Sequence, residues 1–189
     1  MIGNDIVDFS MARLSRCKEQ RFIDIVLNAH EQCLLAKSTC PFRSFWQMWA
    51  MKEAAYKAYV QLHPNRFFKP RSFECTGMGA HERVHYKNFS VEVITEIHES
   101  YAFAQTTSEQ RITRTQIQEL SANCSTLGQI LRKPLFYEVS EMYGLSKSSL
   151  KIVKNKAGVP KVYCGAKALP LHISLTHHGR FAAYSIVEY

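Results

Sequence analysis

The 189-residue sequence predicts an α+β protein, in which helices pack on antiparallel sheets. Apolar residues recur at helical spacing over Arg13–Lys37 and again over Phe42–Val60. Farther along, apolar and polar residues alternate in short runs separated by turn residues, which indicates antiparallel strands. A helix followed by strands is predicted again near the C-terminus, so the same layout occurs twice.

The elements of the N-terminal part follow from local patterns. Ile2–Val7 is predicted as a strand, because β-branched residues surround a polar centre. Asp8 or Ser10 could cap a helix that starts near Met11, and the two longer helices come next. Three strands are then predicted, in the segments RSFECTG, NFSVEVITEI and SYAFAQTT.

A polar stretch with weak periodicity divides the chain and is predicted to be a partly helical linker. The expected organisation is a single integrated domain with a first half, a linker and a second half, at residues 1–110, 111–133 and 134–189. The second half is predicted to hold a helix ending at Gly144, two strands around Asn155–Pro160, and two more around His177–Arg180.

Composition narrows the class of protein. The hydrophobic content of 46% and the charged content of 21% are ordinary for a soluble globular protein. The net charge of +8 suggests an anionic partner, namely nucleic acid, a phosphorylated small molecule or an acidic protein, although solubility alone also accounts for it. The six cysteines lack metal-site spacing and are expected to be free thiols. With no signal peptide and no apolar run of membrane-spanning length, we expect a cytoplasmic protein.

Two acidic residues stand where the patterns do not call for them. Glu53 interrupts the apolar stripe of the second long helix, so it needs a cation or a metal if it is buried. Lys57 follows at the spacing of a helical ion pair, which is the simpler explanation. Asp5 lies inside the first strand, either at a solvated edge or as a ligand. Two carboxylates with phosphate oxygens are typical of a Mg²⁺ site, and Asp8 could be a third ligand, although its role as a helix cap is favoured.

Near the C-terminus, His177, His178 and Arg180 surround the backbone amide of Gly179 in a tight turn. Such a turn suits a phosphate, and it suits a hydrogen-bonded turn histidine equally well. His172 and His178 are interpreted as structural. Three lysines surround a Gly-x-Pro turn and are interpreted as a solvated hairpin tip: Lys154, Lys156 and Lys161.

The segments GNDIVD, WAMKEAAYKA and ISLTHHGRFAA together resemble the 4′-phosphopantetheinyl transferases. Those enzymes carry a G-x-D segment, a W-x-x-K-E-A-x-x-K helix and an S-H-x-x-x-x-A segment. The similarity covers most of the chain apart from roughly Gln110–Arg132. The segments come in the order of the small, trimeric holo-acyl-carrier-protein synthase type, while residues 134–189 resemble the first half of the large type. The resemblance therefore implies a permuted, monomeric pseudo-dimer; the alternative is a small-type homotrimer with a long insertion.

The resemblance implies a reaction and its partners. The 4′-phosphopantetheine arm of coenzyme A is transferred to a serine of an apo acyl or peptidyl carrier protein, and adenosine 3′,5′-bisphosphate is released. The carrier would belong to fatty acid, polyketide or non-ribosomal peptide biosynthesis. Neither nucleic acid nor a membrane is an expected partner. The alternative is a non-catalytic binding protein of the same fold that holds an acidic partner.

The resemblance also assigns roles to residues. Asp5 and Glu53 correspond to the metal-binding acids that hold Mg²⁺, with Asp8 as a possible third. Glu53 or a water molecule would take the serine proton, and Lys57 would protonate or stabilise the leaving phosphate. The residues expected to contact coenzyme A phosphates are Lys52, His177 and Arg180.

The sequence departs from the family pattern at three points. The acidic D-x-E of the large type is Asp5-Ile6-Val7, its Gly-Lys-Pro is Gly158-Val159-Pro160, and its Ser-His is Thr176-His177. Lys156 or Lys161 would have to reach in to replace the missing lysine. The central acids and both helix lysines are intact, so we expect an active enzyme.

Overall fold

The computed structural model describes residues 1–15, 17, 19–65, 67–79, 81–107, 112–120 and 127–188, with residues 127–129 described by their backbone only. The described residues form five α-helices: α1 (Phe9–Ala12), α2 (Gln20–Val26), α3 (Ala29–Lys37), α4 (Pro41–Leu62) and α5 (Leu127–Tyr143). They also form eleven strands: β1 (Asn4–Asp8), β2 (Glu74–Thr76), β3 (Arg83–Tyr86), β4 (Phe89–Ile97), β5 (Tyr101–Thr106), β6 (Thr113–Glu119), β7 (Leu150–Lys154), β8 (Pro160–Cys164), β9 (Lys167–Ala168), β10 (Leu171–His178) and β11 (Phe181–Glu188). The fold is α+β with antiparallel sheets, which confirms the predicted class.

The first half is a five-stranded sheet covered by α4. The strand order is β1-β5-β4-β3-β2, so β1 is an edge strand with one side left for the second half. Helix α4 is buried on most of its circumference, including its small residues Ala54, Ala55 and Ala58. The buried surface of α4 is therefore wider than the apolar stripe predicted from the sequence. Glu53 lies at the border of the buried surface, where it is half-buried, rather than in its centre.

The segment predicted as one helix over Arg13–Lys37 is two helices, α2 and α3. The first helix ends at Val26, with Leu27 in an extended conformation after it. Asn28 caps the second, since its side chain accepts a hydrogen bond from the Glu31 N–H. In return, Glu31 accepts from the Asn28 N–H, which completes a capping box. The apolar spacing continues through this break, although three residues of the predicted stripe, Ile25, Ala29 and Cys33, are exposed. Periodicity alone could therefore not reveal where the first helix ends.

The second half has two three-stranded sheets and α5. Strands β10, β11 and β6 form one sheet in that order, and β7, β8 and β9 form the other. Strand β6 and the start of α5 lie in the predicted linker. The sequence of β6, TRTQIQE, has one apolar residue, Ile117, and is half-exposed at a sheet edge, so it lacks the alternation that identifies a strand. Arg111 and residues 121–126 of that linker, with Cys124, lie outside the described residues. The division at residues 110 and 134 stays a prediction.

A small apolar cluster joins the two halves. Ile6 of β1 and Phe103 of β5 pack against Phe181 and Ala183 of β11. Larger cores lie within each half. Within the described part of the chain, every cysteine is a free thiol and no helix is long and apolar enough to cross a bilayer.

Candidate active site

Gly3 allows β1 to approach α4 closely. A Cβ atom at Gly3 would lie 1.9 Å from the carbonyl oxygen of Ala54 and 2.7 Å from the Ala58 nitrogen, so any side chain there would collide with helix backbone. This contact sets the distance between the strand and the helix. The glycine and the aspartate of the G-x-D segment therefore have linked roles, because Gly3 brings Asp5 next to the helix that carries Glu53.

Asp5, Glu53 and Lys57 form a charged group between β1 and α4. The Lys57 Nζ lies 2.8 Å from the Asp5 Oδ1 and donates a second hydrogen bond to the Asn4 carbonyl oxygen at 2.9 Å. No ion pair joins Lys57 to Glu53 among the described residues, so the helical pair suggested by the sequence is replaced by a pair with Asp5. Burial and the negative charge of Asp5 raise the pKa of Glu53 to about 7, and Lys57 opposes this shift.

The three charged residues line a cavity of about 480 Å³ between the halves. Aromatic rings of α4 and residues from β10 complete its walls. The lining residues are Asp5, Ile6, Val7, Trp46, Trp49, Glu53, Lys57, Lys154, Leu175, Thr176, His177 and His178. The first half thus supplies both acids, while the second half supplies two histidines and a lysine.

Side chains of β10 satisfy the free edge of β1. Three N–H groups of β1 point away from β5, and each donates to a side chain at alternate positions of β10. We call these contacts the side-chain ladder; its pairs are Asn4 with Ser174 (3.0 Å), Ile6 with Thr176 (3.3 Å) and Asp8 with His178 (3.0 Å). The ladder fixes the register of the two halves without a continuous sheet.

Thr176 has a second contact in the site. Its hydroxyl donates to the Asp5 Oδ1 at 2.8 Å while accepting from the Ile6 N–H. Thr176 stands where the family pattern has serine, and either residue supplies the hydroxyl that both bonds need. This departure from the pattern therefore preserves the chemistry at Asp5.

Asp8 and Arg180 bind each other at the turn between β10 and β11. The Asp8 Oδ2 accepts from the Arg180 backbone N–H at 2.9 Å and from its Nε at 3.1 Å, and Oδ1 accepts from the Ser10 N–H as the N-cap of α1. Burial alone would raise the pKa of the Asp8 carboxyl, but the bonds from Arg180 and Ser10 hold it well below its usual range. Gly179 permits this contact, since its φ is +55° and a Cβ there would lie 2.5 Å from the Asp8 Oδ2.

In these contacts Asp8 caps α1 and pairs with Arg180, and both of its oxygens accept hydrogen bonds. The role of Asp8 as a third metal ligand stays a prediction. Among the described residues no cluster of three or more His, Cys, Asp or Glu side chains could hold a metal ion. Asp5 and Glu53 remain as a pair of acids on one cavity, and Mg²⁺ accepts one or two protein carboxylates together with water and phosphate oxygens. The pair therefore fits Mg²⁺.

Lys52 does not face the cavity. Its side chain is fully buried, and its Nζ lies 2.8 Å from the Glu31 Oε1. The same ammonium group donates to the carbonyl oxygens of Pro70 and Phe73. The predicted contact of Lys52 with a coenzyme A phosphate has no support in this geometry, because all the polar contacts of the ammonium lie inside the first half.

The remaining predicted phosphate contacts are at the surface. His177 is exposed and lines the cavity, while the half-exposed Arg180 guanidinium also contacts Glu119 at 3.3 Å. The lysine that reaches the cavity from the hairpin between β7 and β8 is Lys154, rather than Lys156 or Lys161. Lys154 also lines a neighbouring cavity of about 230 Å³, which extends along the hairpin to Gly158, Val159 and Pro160.

The ladder is not among the features predicted above, although the sequence carries a signal for it. Strand β10 carries polar residues at alternate positions, His172, Ser174, Thr176 and His178, while Ser174 and Thr176 are buried. Buried polar side chains with a period of two need partners from another element. Lys154 had no comparable signal, because hairpin lysines are usually solvated.

Comparisons with known proteins find a matching family and similar solved structures. A sequence profile of the 4′-phosphopantetheinyl transferase superfamily (ACPS) matches residues 1–113. Among solved structures, the chain is similar to the crystal structure of Thermotoga maritima holo-[acyl-carrier-protein] synthase (AcpS), with 17% sequence identity and a TM-score of 0.43 over 76% of this chain and 90% of that chain. No curated protein matches the chain.

The profile match covers more than half of the chain and contains Gly3, Asp5, Glu53 and Lys57. Proteins of this superfamily use coenzyme A and act on apo carrier proteins. On this evidence the chain belongs to the 4′-phosphopantetheinyl transferase superfamily.

Proposed function

We propose that the protein transfers the 4′-phosphopantetheine arm of coenzyme A to a serine of an apo carrier protein and releases adenosine 3′,5′-bisphosphate. The observation that carries this proposal is the pair of acids, Asp5 and Glu53, beside Lys57 in one cavity. Superfamily membership supports the same reaction and does not favour the non-catalytic binding protein considered from the sequence.

In the proposed reaction the serine oxygen forms a bond to the phosphorus that carries the pantetheine arm. The bond from that phosphorus to the oxygen of the departing adenosine 3′,5′-bisphosphate breaks. Glu53, or a water molecule beside it, accepts the serine proton. Burial and Asp5 raise the pKa of Glu53 to about 7 in the metal-free protein, and a bound Mg²⁺ would lower it. The Lys57 ammonium stabilises negative charge on the leaving phosphate.

The remaining groups position these residues. Asp5 is held by Thr176 and by Lys57, so its carboxylate has a fixed orientation toward the cavity. Asp5 and Glu53 would hold Mg²⁺, which when bound neutralises charge on the pyrophosphate oxygens. His177 and Arg180 stay candidates for coenzyme A phosphates, and Lys154 joins them because it lines the same cavity as Lys57.

We further propose that one chain is sufficient for activity, since the cavity takes its acids from the first half and its histidines from the second. A monomeric elution volume in size-exclusion chromatography is the expected result, and a trimer would contradict it. The free cysteines support a cytoplasmic location. The carrier's pathway, whether fatty acid, polyketide or non-ribosomal peptide biosynthesis, follows from which carriers react.

The test of the reaction is direct. The protein is incubated with coenzyme A, Mg²⁺ and each of several apo carrier proteins, and the carriers are weighed by mass spectrometry. We expect one carrier at least to gain the mass of a single phosphopantetheine group, and chelation of Mg²⁺ to abolish the gain. No gain with any carrier would overturn the proposed reaction, and a full gain in the presence of a chelator would overturn the role of Mg²⁺.

A further inference from the structure

The side-chain ladder fixes the tautomer of one cavity histidine. The Asp8 backbone N–H donates to the His178 Nδ1 at 3.0 Å. A nitrogen that accepts a hydrogen bond must carry a lone pair, so the proton of the neutral ring resides on Nε2. The contact therefore holds His178 in a single tautomer and a single ring orientation.

The other ring nitrogen of His178 is left for a ligand. Within the described residues Nε2 has no hydrogen-bond partner, and the half-buried side chain lines the cavity with Asp5, Glu53 and Lys57. The two ring nitrogens of His178 therefore have different roles. Nδ1 joins the halves of the protein, while Nε2–H remains as a donor that no group of the described residues uses.

The surroundings of His178 favour an anionic acceptor. Lys57, Lys154 and His177 line the same cavity, together with the acids Asp5 and Glu53. Cationic and N–H donor groups from both halves therefore lie where a phosphate and its metal would bind. Hydrogen bonds to a charged oxygen are about twice as strong as those between neutral groups, and a phosphate oxygen would use the fixed N–H best. A serine hydroxyl or an amide carbonyl would gain less from the same donor.

We propose that His178 is a ligand-binding residue whose Nε2–H donates a hydrogen bond to a phosphate oxygen of coenzyme A in this cavity. This inference rests on the proposed function for the identity of the ligand. It revises the structural role that the sequence suggests for His178, since a purely structural histidine would use Nδ1 alone.

Two substitutions separate the two nitrogen atoms. In His178→Asn the side-chain oxygen takes the place of Nδ1 and keeps the bond to the Asp8 N–H, but no donor reaches the position of Nε2. In His178→Gln the amide nitrogen takes the place of Nε2, and the acceptor at Nδ1 is lost. We expect the asparagine variant to melt like the wild type and bind coenzyme A roughly tenfold more weakly, and the glutamine variant to melt lower but retain binding.

Binding is measured by titration calorimetry without a carrier protein, at one Mg²⁺ concentration, with coenzyme A, adenosine 3′,5′-bisphosphate and pantetheine as ligands. We expect His178→Asn to bind coenzyme A and adenosine 3′,5′-bisphosphate more weakly than the wild type and to bind pantetheine with the same affinity. Unchanged coenzyme A binding by His178→Asn would overturn the inference. Parallel losses of stability and binding in both variants would also overturn it, because they indicate a structural role only.

A measurement on the unsubstituted protein guards against misfolded variants. Nitrogen-15 spectra of the histidine rings should show His178 with an unprotonated Nδ1 and a protonated Nε2, and coenzyme A should shift the Nε2 resonance. The opposite tautomer, or no shift at saturating coenzyme A, would contradict the proposal. Failure of the wild type to bind coenzyme A would overturn both this inference and the proposed function, whereas binding without transfer would overturn only the latter.

Discussion

The two halves of the chain share an architecture but contribute different groups to the site. In the first half, the 22-residue helix α4 is packed tightly enough that a glycine is needed where β1 passes it. In the second half, the 17-residue helix α5 packs on the three-stranded β10-β11-β6 sheet. The first half supplies the acids and Lys57. The second half supplies the hydroxyl and imidazole groups that hold β1, together with candidate phosphate-binding groups. The groups proposed to act on the reacting atoms therefore all come from the first half.

Ion pairs in the two halves differ in their burial. Lys52 and Glu31 are fully buried within the first half, 2.8 Å apart. Arg114 and Glu138 of the second half are 2.7 Å apart but partly exposed. Removal of one partner from a buried pair leaves a charge without compensation, whereas an exposed charge is solvated by water.

The largest effect is therefore expected for Lys52→Met, which should lower the free energy of unfolding by about 3–5 kcal/mol. Arg114→Gln is the matched control and should change it by less than about 1 kcal/mol. Urea unfolding of both variants measures the difference. Similar small effects in the two variants would show that the Lys52 ammonium does not stabilise the first half, and its role in phosphate binding would have to be reconsidered.

The second effect concerns activity alone. Glu53→Gln removes the proposed base and one of the two acids on the cavity, so the transfer rate should fall at least about 100-fold. The side-chain ladder does not involve Glu53, and the variant should stay folded. Rates from carrier mass spectrometry and melting curves test both statements, with Glu141→Gln on the exposed face of α5 as control. A near-normal rate for Glu53→Gln would remove Glu53 from the mechanism.

The two acids that the structure brings to one cavity can be singled out from the sequence, because their signal is local. Their role in the reaction stays a prediction. Asp5 and Glu53 each contradict the pattern of the element that carries them, and such contradictions are expected at functional sites. Lys52 follows a different rule. Its partners Glu31 and Phe73 each lie 21 residues away, on opposite sides of it in the chain, and no local pattern distinguishes a lysine that pairs inward from one that faces a substrate.

The ladder could not be predicted from the sequence for the same reason, because its partners are even farther apart in the chain. Its bonds join residues 170 apart and pair side chains with backbone N–H groups, whose orientation depends on the twist of β1. Strand β6 is not predicted because it lies at a half-exposed sheet edge and lacks alternating apolar residues. Helices and strands with a buried face could be predicted, whereas contacts between the halves could not.

A third prediction uses pH to compare two acids. Burial and Asp5 raise the pKa of Glu53 to about 7, so its charged form is disfavoured in the folded state. The folded protein then binds more protons than the unfolded chain between about pH 4.5 and 7, and stability falls as pH rises through this range. Without Mg²⁺, the free energy of unfolding of the wild type should fall by about 2 kcal/mol between pH 5 and pH 8, relative to that of Glu53→Gln.

Asp8 should show the opposite sign, since Arg180 and Ser10 lower its pKa. Its contribution is fully present above the unfolded value of 3.8 and is lost as pH falls below it. Urea unfolding across the pH range measures both trends. If the free energy of unfolding depends on pH in the same way for the wild type and for Glu53→Gln, the pKa of Glu53 is not raised in the folded protein.

The smallest effect should come from the second half. Thr176→Val keeps the shape of the side chain but leaves the Ile6 N–H without an acceptor and Asp5 without its hydroxyl donor. We expect a loss of about 1 kcal/mol in the free energy of unfolding. Thr176→Ser keeps the hydroxyl, so it is the matched control and should behave like the wild type.

The two variants also test whether the second half acts on the site or only on stability. If Thr176 orients Asp5, the valine variant should lose transfer activity by more than its small loss of stability explains, because the protein stays folded throughout the assay. The serine variant should retain activity. A valine variant with a normal rate would mean that Lys57 alone holds Asp5, and the division between reactive and positioning halves would then apply to the fold and not to the chemistry.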